Sequence, residues 1–273
     1  MVVSFVNHFV CNPCRKVFSS SFLKLFSFVA VIGFCVLIFS PTVFANNEVK
    51  VIDKTVEKAL LLTPDLKKGK ELYRNCALCH TPEGWGSPGG RFPQIAGQYQ
   101  TVILKQLADI HKRNRDNPTM FPFSETTFAK GPQALADISA YIEQLPMVPN
   151  NSIGLGVDMD KAAELYKHNC KKCHGANGEG DAKEYYPRIQ GQHYQYLLRQ
   201  MLWIKQHKRR NADDKMVKQI EGFSLADISL LADYVSRLRP DKKLLADHRD
   251  WRNPDFRSSF MTVPKMQKKI QAE

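Results

Sequence analysis

Cys76-Ala77-Leu78-Cys79-His80 and Cys170-Lys171-Lys172-Cys173-His174 decide how the chain is read. Each is a Cys-x-x-Cys-His run, the attachment pattern of a c-type haem. Two cysteines three apart on a helical turn can add their sulfurs to the two vinyl groups of one porphyrin. The histidine that follows then lies under the iron as its proximal ligand. Two such runs, 94 residues apart in matching surroundings, point to two covalently bound haems held by Cys76 and Cys79 and by Cys170 and Cys173, with His80 and His174 on the irons.

The match extends outward from the motifs. Glu71-Leu72-Tyr73 leads into the first and Glu164-Leu165-Tyr166 into the second. At the same offset of 94, Pro93-Gln94-Ile95-Ala96-Gly97-Gln98 matches Pro187-Arg188-Ile189-Gln190-Gly191-Gln192, and Leu104-Lys105-Gln106 matches Leu198-Arg199-Gln200. Tyr141-Ile142 echoes Tyr234-Val235. The pattern is that of a duplicated haem domain. The expected organisation is a lead-in over 46–64, one domain over 65–149, a second over 150–240 and a basic tail over 241–273, with Pro146–Asn151 as linker.

No stretch sustains strand alternation, so the fold is expected to be all-α with about three main helices per domain. Thr63-Pro64-Asp65 carries helix-start signals for a helix that presents the first motif at its end. The Gly/Pro-rich residues 81–97 read as a loop at one haem edge. Val102, Ile103, Gln106, Leu107 and Ile110 keep helical spacing, residues 112–131 read as irregular, and Pro132 opens a last helix to about Leu145. In the second half, Asp160 is a candidate cap, the next helix covers about Gln192 to Lys208, and Ser224-Leu225-Ala226-Asp227 fits a capping box.

Residues 1–45 differ from the rest. They hold Arg15, Lys16 and Lys24, no acidic residue, and a 15-residue apolar run from Leu25 to Phe39 before Val43-Phe44-Ala45. Basic, apolar and small-residue regions in that order are those of a secretory signal. The rival, an uncleaved anchor, needs roughly 20 apolar residues. Cys11, Cys14 and Cys35 lie in this leader, so the remaining chain has no cysteine spare for a structural disulfide. Residues 46–273 carry 36 Lys+Arg against 27 Asp+Glu, a formal +9 that suggests either acidic protein partners or an anionic membrane surface, or else a generic solvated basic face. Nucleic acid is a poor partner for an exported haem protein.

What fills the sixth iron position decides function. A thioether stabilises ferrous iron, raises the potential and suits electron transfer; an exchangeable position suits catalysis. Met120 lies 40 residues after His80, and Met216 lies 42 after His174, each ahead of its domain's last helix. They are the axial candidates. Met147 lies past that helix, and Met201 sits among Leu197, Leu198 and Leu202, where a methionine is core filling. The other histidines, His8, His111, His168, His193, His207 and His248, fit the role less well. Tyr99, Tyr194, Arg113 and Arg209 are candidates for contacts to the haem propionates.

On both Cys-x-x-Cys-His motifs, both Pro-x-Ile-x-Gly-Gln segments and the two late methionines, residues 65–240 resemble a class I dihaem cytochrome c, most closely the cytochrome c4 family. The resemblance implies two His/Met haem domains about a pseudo-twofold axis and a periplasmic, membrane-associated electron carrier. Its partners would be redox proteins such as a terminal oxidase or a quinol-cytochrome c reductase, and no substrate bond would be made or broken. The alternatives are a cytochrome subunit docked on a periplasmic dehydrogenase, or a dihaem enzyme, either a peroxidase or a thiosulfate-oxidising cytochrome. Two features depart from the family: the tail over 241–273, and the first loop, Thr81-Pro82-Glu83-Gly84-Trp85-Gly86, which is unlike Gly175-Ala176-Asn177-Gly178-Glu179-Gly180.

Overall fold

The computed structural model describes residues 53–256. The leader reading for 1–45, the start of the lead-in and the end of the tail lie outside the described residues. The first repeat contains α1 (Lys54–Leu60), α2 (Leu66–His80), α3 (Gln100–His111), α4 (Phe121–Ala129) and α5 (Pro132–Gln144). The second contains α6 (Met159–Asn169), α7 (Lys171–His174), α8 (Tyr194–Lys205), α9 (Asp214–Glu221) and α10 (Leu225–Arg237). The described residues form no strand and only two isolated bridges, Met147 with Leu245 and Asp181 with Tyr186.

Each repeat is built by packing its motif helix against its last helix. In the first, Tyr73 and Ala77 of α2 meet Ile138, Tyr141 and Ile142 of α5, with Ile103 of α3 completing the core. Gly69 sets the closeness of α2 to α5, because a Cβ there would lie 2.2 Å from the Asp137 carbonyl oxygen. In the second, Tyr166, Leu197, Met201, Ile204, Ile228, Leu231 and Val235 unite α6, α8 and α10. The tyrosine pairs are twins: Tyr73 on Tyr141 and Tyr166 on Tyr234, both with ring centroids 5.4 Å apart. A separate cluster of Val56, Ala59, Leu104, Ala108, Leu135 and Ala136 seats α1 on α3 and α5. Full burial of an aliphatic side chain such as Leu104 or Leu135 contributes roughly 1.5–3 kcal/mol.

Local chemistry sets the ends. Asp65, rather than Thr63, caps α2, its carboxylate accepting from the Lys67 and Lys68 amides at 2.9 and 3.2 Å. Asp158, in a left-handed conformation, precedes α6, which leaves Asp160 in the first turn instead of at the cap. The Ser224–Asp227 capping box is formed. Residues 112–131 are not all irregular: Pro122 presets the first turn of α4. The buried Ser124 hydroxyl then donates to the Leu107 carbonyl at 2.7 Å and fastens α4 to α3.

The two repeats face each other through their matching loops. The Gln94 amide donates to Gln192 Oε1 at 3.0 Å, and Gln192 Nε2 returns a bond to the Gln94 carbonyl at 2.8 Å. Gln98 Nε2 donates to the Arg188 carbonyl and the Arg188 amide donates to Gln98 Oε1, at 2.8 and 3.0 Å. Met147 is buried in the linker against Gly97, with Gly191 on its other side. Gly90, at φ +73°, lets the first loop approach α8: a Cβ there would sit 2.4 Å from the Tyr196 amide nitrogen.

Candidate functional site

The two motifs are presented by equivalent scaffolds. Cys76, Cys79 and His80 occupy the last turn and a half of α2. In the second repeat the helix breaks at Cys170 and restarts as α7, which carries Cys173 and His174. All four cysteines are half-buried, free thiols. Burial, then the neighbouring thiol, pushes Cys76 and Cys170 up to about 12, so both stay protonated at neutral pH.

His80 Nδ1 donates to the Pro93 carbonyl at 2.9 Å, and His174 Nδ1 to the Pro187 carbonyl at 3.2 Å. These bonds fix the tautomer and leave Nε2 as the unprotonated ring nitrogen. Burial lowers the pKa of both imidazoles and keeps them neutral, the form that binds a metal. The loops are held alike. The Gly86 and Gly180 amides donate to the His80 and His174 carbonyls at 2.8 and 2.9 Å. Tyr73 donates to the Thr81 carbonyl and Tyr166 to the Gly175 carbonyl, both at 2.8 Å. Phe92 and Tyr186 stand near the two imidazoles, with ring centroids 6.3 and 6.5 Å away. A pair of unbridged thiols beside a neutral imidazole whose Nε2 carries the lone pair is the donor set that a c-type haem requires, and it occurs twice.

Of the methionines, Met120 is half-buried at the N-terminus of α4, and Met216 is half-buried within α9, where it packs on the second core. Their settings differ by about one turn. Met201 is part of that core, and Met147 fills the linker. Both ring nitrogens of His193 are engaged, Nε2 donating to the Trp85 carbonyl at 2.8 Å and Nδ1 accepting from the Ser152 amide at 3.2 Å.

Between the repeats lies a polar cluster that the sequence reading mostly missed. Arg115 donates to Gln106 Oε1, to the Tyr196 hydroxyl and to Gln200 Oε1 at 2.7–3.1 Å. Arg209 donates to Gln200 Oε1 and Gln106 Oε1 at 3.0 and 3.1 Å. Asn211 adds bonds to Gln106 and Asp109, and Lys105 pairs with Asp109 at 2.5 Å. Three cations thus face one carboxylate. Burial, then the charge of Arg115, lowers Arg209 to about 10. Burial alone would raise the Tyr196 hydroxyl, but Arg115 and Arg209 pull it below its usual value. Such an excess of half-buried positive charge suits carboxylates such as haem propionates. Of the four residues read as propionate contacts, Arg209 lies in this cluster and the other three make other contacts. Arg113 covers the Phe121 ring, Arg188 covers Tyr99, and Tyr194 bonds Ser229. The offset of 94 that pairs Gln106 with Gln200 also pairs Arg115 with Arg209, and it was the signal available in the sequence.

The sequence model of the cytochrome c family matches residues 66–146 and again 159–239. A cytochrome c4 of Azotobacter vinelandii is 30% identical over 191 residues, a span of 64% of this chain and 89% of that one. A thiosulfate dehydrogenase electron acceptor of Stutzerimonas stutzeri is 26% identical over 174 residues, covering 60% and 78%. The crystal structure of reduced cytochrome c4 from Pseudomonas stutzeri superposes with a TM-score of 0.55 at 25% identity, over 65% of this chain and 100% of that one.

Proposed function

The chain belongs to the cytochrome c family as a dihaem member of the cytochrome c4 type, and from that premise we propose that it is a periplasmic carrier passing electrons by outer-sphere transfer to a membrane-bound terminal oxidase. Cys76 and Cys79 would hold one haem, with His80 and Met120 on its iron. Cys170 and Cys173 would hold the other, with His174 and Met216. Each haem, when bound, supplies an iron that takes up and releases one electron.

The observation that carries the reading is the doubled proximal geometry, His80 on Pro93 and His174 on Pro187. A fixed ring with one tautomer resists displacement in either oxidation state, which keeps reorganisation small. Arg115 and Arg209 would neutralise propionates between the repeats, and the Tyr196 hydroxyl would donate to them. The buried Gln94–Gln192 contact would hold the two haem domains in one arrangement during electron exchange. No helix among the described residues is long and apolar enough to cross a membrane.

The test is the far-red charge-transfer band of methionine-ligated ferric haem, quantified per haem, followed by oxidation of the reduced protein by oxidase-containing membranes. Band intensity for two haems and oxidation at the membranes support the proposal. Intensity for one haem or none removes the symmetric His/Met model and favours a dihaem enzyme. The relative named as electron acceptor of a thiosulfate dehydrogenase supports a second reading, of this chain as acceptor rather than as the dehydrogenase. That reading expects reduction by thiosulfate only when a dehydrogenase is added.

A further inference from the structure

The two departures from the family, the unusual first loop and the added tail, meet in one contact. Beyond Pro240 the chain returns along the linker: the Met147 amide donates to the Leu244 carbonyl at 2.7 Å, and the Ala246 amide to the Met147 carbonyl at 2.9 Å. It then reaches the first repeat. Trp251 lies 5.9 Å from Trp85, whose Nε1 donates to the Pro146 carbonyl at 2.8 Å. Asn253, 2% exposed, donates to the Pro82 carbonyl at 2.7 Å and to the Tyr141 hydroxyl at 3.1 Å. Tyr141 donates to Asp255, which also pairs with Lys70 at 2.9 Å. Phe256, 4% exposed, sets its ring edge on Tyr73 and joins the cluster that includes Cys76 and Ala77.

The second repeat has the same tyrosine pair and the same loop framework, but among its described residues no buried aromatic cover: only Asp241, Lys243 and Leu244, at the start of the returning chain, border its loop at Asn177, Glu179 and Gln190. The position equivalent to Trp85 is Glu179, which is exposed, and Tyr234 is less buried than Tyr141. We infer that residues 241–256 form a strap that makes the two duplicated haem environments unequal, excluding water from the first motif and raising the reduction potential of the first haem relative to the second. The inference rests on the dihaem reading above. Its physical basis is that burial beside a haem disfavours the more positively charged ferric state. Residues 241–256 hold four Lys+Arg and four Asp+Glu, so the strap acts by burial without adding formal net charge.

The experiment is a redox titration of the full-length haem-loaded protein and of the variant Trp251→Ala with Asn253→Ala. Lys172→Gln removes an exposed cation from the second motif and identifies the second haem by the wave that it lowers. The expected result is a fall in the first haem's potential while the second stays in place. A stop after Pro240 gives the same direction, and a stop after Phe256, which keeps the strap, leaves both waves unmoved. Equal shifts in both waves, no shift, or a shift confined to the second haem overturns the inference. Where the shortened chain does not fold, the point variants decide. Fewer than two haems per wild-type chain counts against the dihaem reading itself, whereas two haems with unmoved waves counts against the strap alone.

Discussion

The His193 imidazole joins the two repeats, its Nε2 donating to the Trp85 carbonyl at 2.8 Å from the far side of the interface. Its Nδ1 accepts from the Ser152 amide, so protonation would set two donors against each other. His193 also precedes the first turn of α8, whose dipole opposes a positive charge. Burial lowers its pKa below the usual value near 6.5, against a smaller opposite effect of the Trp85 carbonyl. A group with a depressed folded pKa binds more protons unfolded than folded. Its contribution to stability is therefore complete above about pH 6.5 and is lost as pH falls from there through the folded value. His80 and His174 are shifted the same way, so the effect of His193 is read as a difference. Denaturant melts of wild type and His193→Gln across pH 4–8 should show the steeper loss of stability on the acid side in the wild type.

The methionines can be tested one at a time. Met120→Ala and Met216→Ala should each remove half of the far-red charge-transfer intensity and lower one of the two potentials, since the thioether favours ferrous iron. Met201→Leu should leave the band intact and cost less than about 1.5 kcal/mol, because Met201 is a core residue and the exchange conserves volume. Absorption spectra and chemical melts of the three variants are the measurements. An unchanged band in Met120→Ala would send the search for the first axial ligand elsewhere.

How much of this was legible in the sequence depends on whether a residue works locally or across the repeats. The Cys-x-x-Cys-His runs, the α5 start at Pro132 and the Ser224–Asp227 box carry their meaning within five residues, and the last two form as read. Helix α4 was missed because its nine residues mix Pro122, Ser124 and threonines, and its stability comes from the Ser124 bond to α3 and from packing rather than from propensity. The Arg115–Gln106–Gln200–Arg209 cluster joins the two repeats through bonds between residues 85 and 103 apart, which the spacing within either repeat does not reveal. The first loop and the tail read as two separate departures because Trp85 and Trp251 gain their meaning only when they touch.

The Gln94–Gln192 pair should prove to be the strongest polar link between the repeats. Both side chains are buried, and each bonds the other's backbone or its neighbour's, with Gln94 Nε2 donating to the Gly191 carbonyl at 3.0 Å. Gln192→Ala strands the buried Gln94 amide and carbonyl, and each unsatisfied group costs about 1–3 kcal/mol. A loss of roughly 2–6 kcal/mol is expected in urea melts. The same variant should broaden the unfolding transition by letting the repeats melt separately. Gln192→Glu keeps the acceptor but sets a buried carboxylate against the Gln94 carbonyl, and it should cost at least as much as Gln192→Ala.

Arg209 tests the assignment of the polar cluster. If its charge balances propionates, Arg209→Gln keeps hydrogen-bonding capacity but removes a cation that disfavours ferric iron. A unit charge acting at an effective dielectric near 20 over roughly 15 Å is worth about 1 kcal/mol. That corresponds to a fall of roughly 40 mV for a one-electron couple. Arg209→Lys keeps the charge and should retain most of the wild-type potential, while losing the forked contacts to Gln106 and Gln200 and some stability. Potentials that fall equally in both variants would mean that Arg209 acts through packing. A fall in Arg209→Gln alone assigns it to charge, and the shift should persist at high salt because the cluster is half-buried between the repeats.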